Sequence, residues 1–278
     1  MRTAVVTGGT SGLGRAMALG LMRAGFRVLA VGHIAADAAE TERLAEGGAL
    51  SCLVADLRAP GAPDQVLNAA VARFGPVDIL VNNAGLTFTY IDPRRFLDGP
   101  RRFHELSDTI NHDVMAVNFL AAEALARRAA PGMIARGWGR IVNVTTKLDT
   151  MNRVGSAAYG ASKAALEMAS EIWAKELDGT GVTVNVVNPG AGANTPGMAA
   201  EMRAWSAAGT KPKLVEPEEM VPPLLFVVSE AANTVNGFRF DANAWDQDLL
   251  PREAARACAR PAGFTMHPAG AWDAEAPR

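Results

Sequence analysis

The stretch Thr7-Gly8-Gly9-Thr10-Ser11-Gly12-Leu13-Gly14 constrains the chain more than any other. It closes a short apolar run, Thr3–Thr7, and opens a helical pattern with Leu13, Met17, Leu21 and Met22 on one side. Glycines at such a turn let the backbone bend tightly and approach a pyrophosphate without Cβ clashes. The helix N-terminus adds unpaired N–H groups and the positive end of a dipole. A glycine turn alone is explained equally well by turn geometry. Here it is followed by a second strand, Phe26–Val31, which completes the frame of a dinucleotide-binding unit.

The alternation continues. Leu50–Leu57, Val77–Asn82, Gly139–Thr145, Val182–Asn188 and 237–240 read as strands. Pro63–Phe74, Asp108–Arg136, Ala157–Leu177 and Pro217–Ser229 read as the helices between them. Strands alternating with helices predict a Rossmann-like, doubly wound parallel α/β sheet in three layers, with ligands beyond the carboxyl ends of the strands. At 278 residues this is one domain. Residues 1–246 form the nucleotide-binding catalytic unit with a Gly/Ala/Pro-rich lid over 191–216, and 247–278 form a tail with at most one short helix. A further insertion, Thr87–Ser107, carries PRRF twice, at Pro93–Phe96 and Pro100–Phe103.

A net charge of −2 gives no electrostatic reason to expect nucleic acid or an anionic membrane as partner. No apolar run is long enough to span a bilayer, and no secretory leader pattern precedes the first strand. The two cysteines, Cys52 and Cys258, form no CxxC pair, which fits a reducing cytoplasm. His33, His104, His112 and His267 show no metal-ligand spacing, so no metal is expected. The arginines Arg94, Arg95, Arg101 and Arg102 either bind an anionic substrate, contact a second subunit or form a solvated charged face, the last being the ordinary fate of a charge run.

Where dinucleotide folds that prefer NAD place an acidic residue at the end of the second strand, this chain has Gly32-His33. The missing carboxylate admits a 2′-phosphate and tilts the cofactor reading slightly from NAD(H) to NADP(H). His33 is either a donor to that phosphate or an exposed loop residue. Asp56 and Leu57, ending the third strand, are placed to meet the adenine, and Asp56 is equally suited to cap a helix.

Tyr159 and Lys163 stand four residues apart in a helical stretch and so share one face. A phenol titrates near 10, and a neighbouring ammonium favours the phenolate and is expected to pull that value toward working pH. Such a tyrosine can exchange a proton with an alcohol or alkoxide while a hydride moves to or from nicotinamide.

Taken together, TGGTSGLG at 7–14, NNAG at Asn82–Gly85, YGASK at Tyr159–Lys163 and NPG at Asn188–Gly190 resemble the short-chain dehydrogenase/reductase family over nearly all of residues 3–246. The resemblance implies an NAD(P)(H)-dependent oxidoreductase acting on a small ketone or secondary alcohol, with Tyr159 as general acid/base. It places Gly8, Thr10, Ser11, Gly12, Leu13 and Gly14 at the phosphates, and Asn83, Ala84 and Gly85 along the cofactor cleft. Asn118 would hold a helix distortion and a proton-relay water. Lys163 would also hold the nicotinamide ribose, and Pro189, Gly190 and Thr195 would meet the carboxamide. It further implies a homodimer or homotetramer. One position departs: thirteen residues before the tyrosine the family has serine, and this chain has Thr146. Its hydroxyl keeps the donor, while its methyl narrows the pocket and restricts χ1. Two other readings remain open: a cofactor-binding regulatory or scaffold protein without chemistry, and a related epimerase or dehydratase.

Overall fold

The structure is a computed structural model, and it describes residues 1–93 and 99–264. Strands β1 (Thr3–Thr7), β2 (Arg27–Gly32), β3 (Leu50–Val54), β4 (Val77–Asn82), β5 (Gly139–Asn143), β6 (Val182–Asn188), β7 (Phe238–Asp241) and β8 (Arg260–Pro261) form one sheet in the order β3-β2-β1-β4-β5-β6-β7-β8. Neighbours from β3 to β7 are parallel, and only β8 runs antiparallel, against β7. The order reverses between β1 and β4, which opens a crevice beyond their carboxyl ends.

Alternation within each buried strand builds two cores. Ala4 and Val6 point to one face, against Met17 and Leu21 of α1 (Gly12–Arg23) and Leu224 of a helix at Val221–Val227. Val5 points to the other face, against Val66 of a helix at Ala62–Phe74 and Leu125 of one at Ala121–Ala135. The helix at Ala157–Glu176 covers β5 and β6 on that second face, through Ala174 against Val182 and Val184.

Numbered in chain order, the helices are α1, α2 (Ala35–Leu44), α3 (Ala62–Phe74), α4 (Phe88–Ile91), α5 (Asp108–Met115), α6 (Ala121–Ala135), α7 (Leu148–Met151), α8 (Ala157–Glu176), α9 (Ala200–Ala207), α10 (Val221–Val227) and α11 (Pro251–Cys258). The segment read as one helix over Asp108–Arg136 is α5 and α6 joined by a π-helical turn at Ala116–Leu120. Beyond residue 246, α11 buries Ala254, Ala255 and Cys258 in the core, and β8 extends the sheet. Among the described residues no helix is long and apolar enough to cross a membrane, and no cluster of ligating side chains is arranged for a metal ion.

Candidate active site

The glycine turn lies where β1 hands over to α1, and its geometry is dictated from two sides. Gly8 and Gly12 have φ of +63° and +50°, a region L side chains disfavour. A Cβ at Gly8 would stand 2.9 Å from the Ala84 Cα, and one at Gly14 would stand 2.0 Å from the Gly8 oxygen. The turn therefore packs on the NNAG segment. Asn83 Nδ2 donates to the Thr7 oxygen (3.0 Å), while Thr7 Oγ1 accepts from the N–H of Asn83 and of Ala84 (3.0 and 3.1 Å). Thr10 is buried with its hydroxyl against Gly32. Ser11 stands at the N-cap of α1 without a side-chain capping bond, and Leu13 packs on the core. A glycine turn at a helix N-terminus, whose first N–H groups lack helical partners, fits a dinucleotide diphosphate.

At the adenosine end His33 is exposed at the close of β2, within electrostatic reach of Asp56. Asp56 spends its carboxylate locally: it accepts from the Arg58 N–H (2.9 Å) and pairs with the Arg58 guanidinium (2.7 Å), which holds its carboxyl below the usual range. Leu57 is half-buried against the second core. Arg15, which the sequence reading passed over, braces the turn from below. Its Nε donates to the Thr10 oxygen (2.8 Å) and to Thr41 Oγ1 (2.9 Å). Its signal was a basic residue immediately after the last glycine.

The structure brings Asn118, Thr146, Tyr159 and Lys163 to one place. Asn118 is buried in the π turn; its Oδ1 accepts from the Leu86 N–H (2.7 Å) and its Nδ2 donates to the Leu86 oxygen (3.1 Å) and to Ser162 Oγ (3.0 Å). Ser162 in turn donates to the Tyr159 oxygen (2.7 Å), so the helix distortion and the first turn of α8 are locked together. The Thr146 side chain stands beside the Tyr159 phenol and favours its ionised form. Lys163 Nζ donates to the Val144 oxygen (2.8 Å), and a Cβ on Gly85 would sit 3.4 Å from it.

The electrostatics differ from the sequence expectation. Burial pushes the Tyr159 phenol up to about 12, with the neighbouring Thr146 side chain and the Arg153 charge acting in the opposite sense. Burial lowers the Lys163 amine itself to about 8, and its Nζ donates to the Val144 oxygen.

Behind Thr146 lies a buried charge cluster that sequence reading missed. Glu167, on α8 one turn beyond Lys163, is fully buried and accepts from Thr145 Oγ1 (2.6 Å). Arg239 of β7 pairs with Glu167 (3.0 Å) and Asp241 (3.0 Å), and donates to the Thr146 oxygen (3.3 Å). Asn188 donates to Asp241 and accepts from the Gly190 N–H (2.7 Å), and the Pro189 oxygen accepts from the Asn243 N–H (3.2 Å). The cluster thus ties the NPG turn to the threonine strand end.

The segment read as a flexible lid is anchored here. Ala193 bridges Val215, and Thr87 Oγ1 and Thr89 Oγ1 both donate to the Gly197 oxygen (2.8 and 3.1 Å). Thr195 lies over Gly12, 3.1 Å from where its Cβ would be. α9 carries Met202, half-buried, and Trp205, exposed with Lys211 near its ring. In the insertion, Arg101 pairs with buried Asp92 (3.1 Å), and Arg102 borders a cavity of about 620 Å³ beside α8. Arg94, Arg95 and His267 lie outside the described residues.

Residues 2–207 match the short chain dehydrogenase family. A short-chain type dehydrogenase/reductase of Picea abies is 32% identical over 253 residues, covering 84% of this chain and 88% of that one. The 2-dehydro-3-deoxy-D-gluconate 5-dehydrogenase of Escherichia coli (strain K12) is 32% identical over 243 residues, covering 85% and 92%. Among solved structures, a variant of actinorhodin polyketide ketoreductase with NADPH superposes with a TM-score of 0.73 at 29% identity, covering 84% and 93%. With the glycine turn, the NNAG contact and the Tyr159–Lys163 helix in place, the chain belongs to the short-chain dehydrogenase/reductase family. It is an NAD(P)-dependent oxidoreductase.

Proposed function

We propose that the protein reduces the carbonyl of a small molecule to a secondary alcohol, with Tyr159 as the proton donor. The observation that carries this is the Tyr159 phenol beside the buried Thr146, on a helix face shared with buried Lys163. Thr146 receives the substrate oxygen beside the phenol. Tyr159, pushed up to about 12, stays protonated across neutral pH and gives its proton to the oxygen as charge develops there. The bound nicotinamide cofactor supplies the hydride. Lys163 orients the cofactor ribose from beneath Gly85, and Asn118 holds the π turn in register with α8. Gly8, Ser11, Gly12, Leu13 and Gly14 cradle the diphosphate and Thr10 shapes the turn. Asn83 and Ala84 line the cleft, and Pro189, Gly190 and Thr195 close over the carboxamide end.

The cofactor in this reading is NADP(H): His33 is exposed at the end of β2 where an acidic residue would repel a 2′-phosphate, with Asp56 and Leu57 near the adenine. Residues 1–246 form the catalytic unit with its lid, followed by the tail. The protein works in the cytoplasm as a homodimer or homotetramer, in keeping with Leu120 and Ile172, apolar and exposed on the helices flanking the site. Titrating the purified protein separately with NADH and NADPH, followed by nicotinamide fluorescence and then by turnover of a ketone and aldehyde panel, tests it. Tighter binding of NADPH with reduction of at least one carbonyl supports the reading. Binding of neither nucleotide overturns it.

A further inference from the structure

Residues 260–263 lie beyond the stretch 2–207 that matches the family, yet they return to the site. Strand β8 pairs antiparallel with β7 and sets Arg260 opposite Arg239. Ala262 is buried, and its N–H donates to the Gly237 oxygen (2.9 Å). Gly263 then turns with φ of +86°, and its N–H donates to Glu167 Oε1 on α8 (3.4 Å). One short segment therefore touches both members of the Glu167–Arg239 ion pair. That pair leads directly to the chemistry. Tyr159, Lys163 and Glu167 follow at four-residue steps along one face of α8. They meet residues 144–146, just beyond β5. Thr146 stands beside the Tyr159 phenol, Lys163 donates to the Val144 oxygen, and Glu167 Oε2 accepts from Thr145 Oγ1 (2.6 Å). Arg239 itself donates to the Thr146 oxygen (3.3 Å). Glu167 is fully buried, so its carboxylate has no solvent to turn toward when one of its partners shifts. A buried ion pair of this kind keeps its strength only while water is excluded.

We infer that residues 260–263 are a positioning element of the active site. They hold the Glu167–Arg239 pair, and that pair, through the Thr145 hydroxyl and the Thr146 carbonyl, sets the Thr146 side chain against the substrate oxygen. Glu167 and Gly263 are positioning residues, and their effect on the rate passes through Thr146. The inference rests on the reading of Thr146 as the group that receives that oxygen.

Single-turnover reduction of the best carbonyl in the panel, together with NADPH affinity, tests this in Glu167→Gln and Gly263→Ala, each alone and combined with Thr146→Val. Glu167→Gln keeps the shape and an acceptor for Thr145 but removes the charge that holds Arg239. Gly263→Ala forces the turn to move, since a Cβ there would lie 1.9 Å from Glu171 Oε2 at a φ that L side chains disfavour. The rate is expected to fall by about tenfold in Glu167→Gln and about threefold in Gly263→Ala, with NADPH affinity within about twofold of wild type. In the Thr146→Val background neither is expected to cost more than about a further twofold, because the group they position is gone. A wild-type rate in either single variant, a loss of NADPH affinity that matches the loss of rate, or full additivity with Thr146→Val overturns the inference. If Glu167→Gln does not fold, Gly263→Ala carries the test alone. Thr146→Val reducing at the wild-type rate sinks instead the reading of Thr146 on which the inference rests.

Discussion

Two arginines of the sheet, Arg140 buried and Arg239 nearly so, lie three residue levels apart and are held in opposite ways. Arg239 of β7 is level with Val186 and, through β6, with Asn143 at the carboxyl end of β5; it has Glu167 and Asp241 as ionic partners. Arg140 of β5 sits toward the amino end and has no buried carboxylate. Its Nη1 donates to the Gly139 oxygen (2.8 Å), its Nη2 reaches Asn233 Oδ1, its Cζ lies 4.1 Å from the Trp138 ring centroid and its Nε has no partner. Arg2 also lies over Trp138, 3.3 Å from the centroid, and pairs with exposed Glu230. Burial pulls Arg140 down to about 10. The active-site arginine is thus locked by charge in a cluster that also grips Thr145, Thr146 and Asn188. Its counterpart is held by carbonyls and an aromatic face that lead nowhere near the chemistry. Where a buried charge touches the reacting segment, its placement is a matter of positioning; elsewhere the same residue type is a packing element.

The contrast can be broken by substitution. Arg239→Met is expected to have the largest effect. It leaves Glu167 buried without its cation, at a cost of about 3–5 kcal/mol in unfolding free energy, and frees the Thr146 strand end. Chemical denaturation should show that loss, and kcat should fall more than cofactor affinity in the protein that remains folded. Thr146→Val removes the hydroxyl beside Tyr159 and is expected to lower kcat by about 100-fold, with unfolding free energy changed little. If Thr146→Ser raised turnover while Thr146→Val left it unaltered, the role assigned to Thr146 would be wrong. Arg140→Met is expected to cost about 1–3 kcal/mol, through carbonyl and amide acceptors left unpaired, with kcat at the wild-type value. A drop in kcat there would erase the distinction between the two arginines.

The smallest effect concerns pH. Lys163 is held at about 8 against an ordinary value of 10.5, so the folded protein binds fewer protons than the unfolded chain between those values. Stability from this group therefore rises with pH through that window, by at most about 1.4 kcal/mol per pH unit, and is flat below it. Denaturation at several pH values, compared with Lys163→Met, isolates that slope.

Much of this was legible in the sequence because it is local. The glycine turn, the strands at Thr3–Thr7, Val77–Asn82 and Val182–Asn188, and the helix from Ala157 all follow from short-range pattern. α2 was not named in advance, since its one buried stripe is Ala38 and Thr41, too weak a periodicity to read. The position of Asn118 implied a distortion, yet a π turn leaves no signal in hydrophobic spacing. The Glu167–Arg239 pair joins residues on α8 and β7 that only the sheet order brings together, and a charged residue inside a strand pattern reads as solvent-facing. The tyrosine's raised proton affinity was invisible for the same reason, because burial depends on the whole fold.

The account centres on Tyr159 as the group that protonates the substrate oxygen, and Tyr159→Phe tests this most directly. NADPH affinity and single-turnover reduction should be measured on the same preparation, with the best carbonyl substrate. The account predicts NADPH binding close to wild type and a reduction rate lower by about 1,000-fold, within the range that general acid catalysis supplies. A variant that binds NADPH normally and reduces the substrate at the wild-type rate would contradict it.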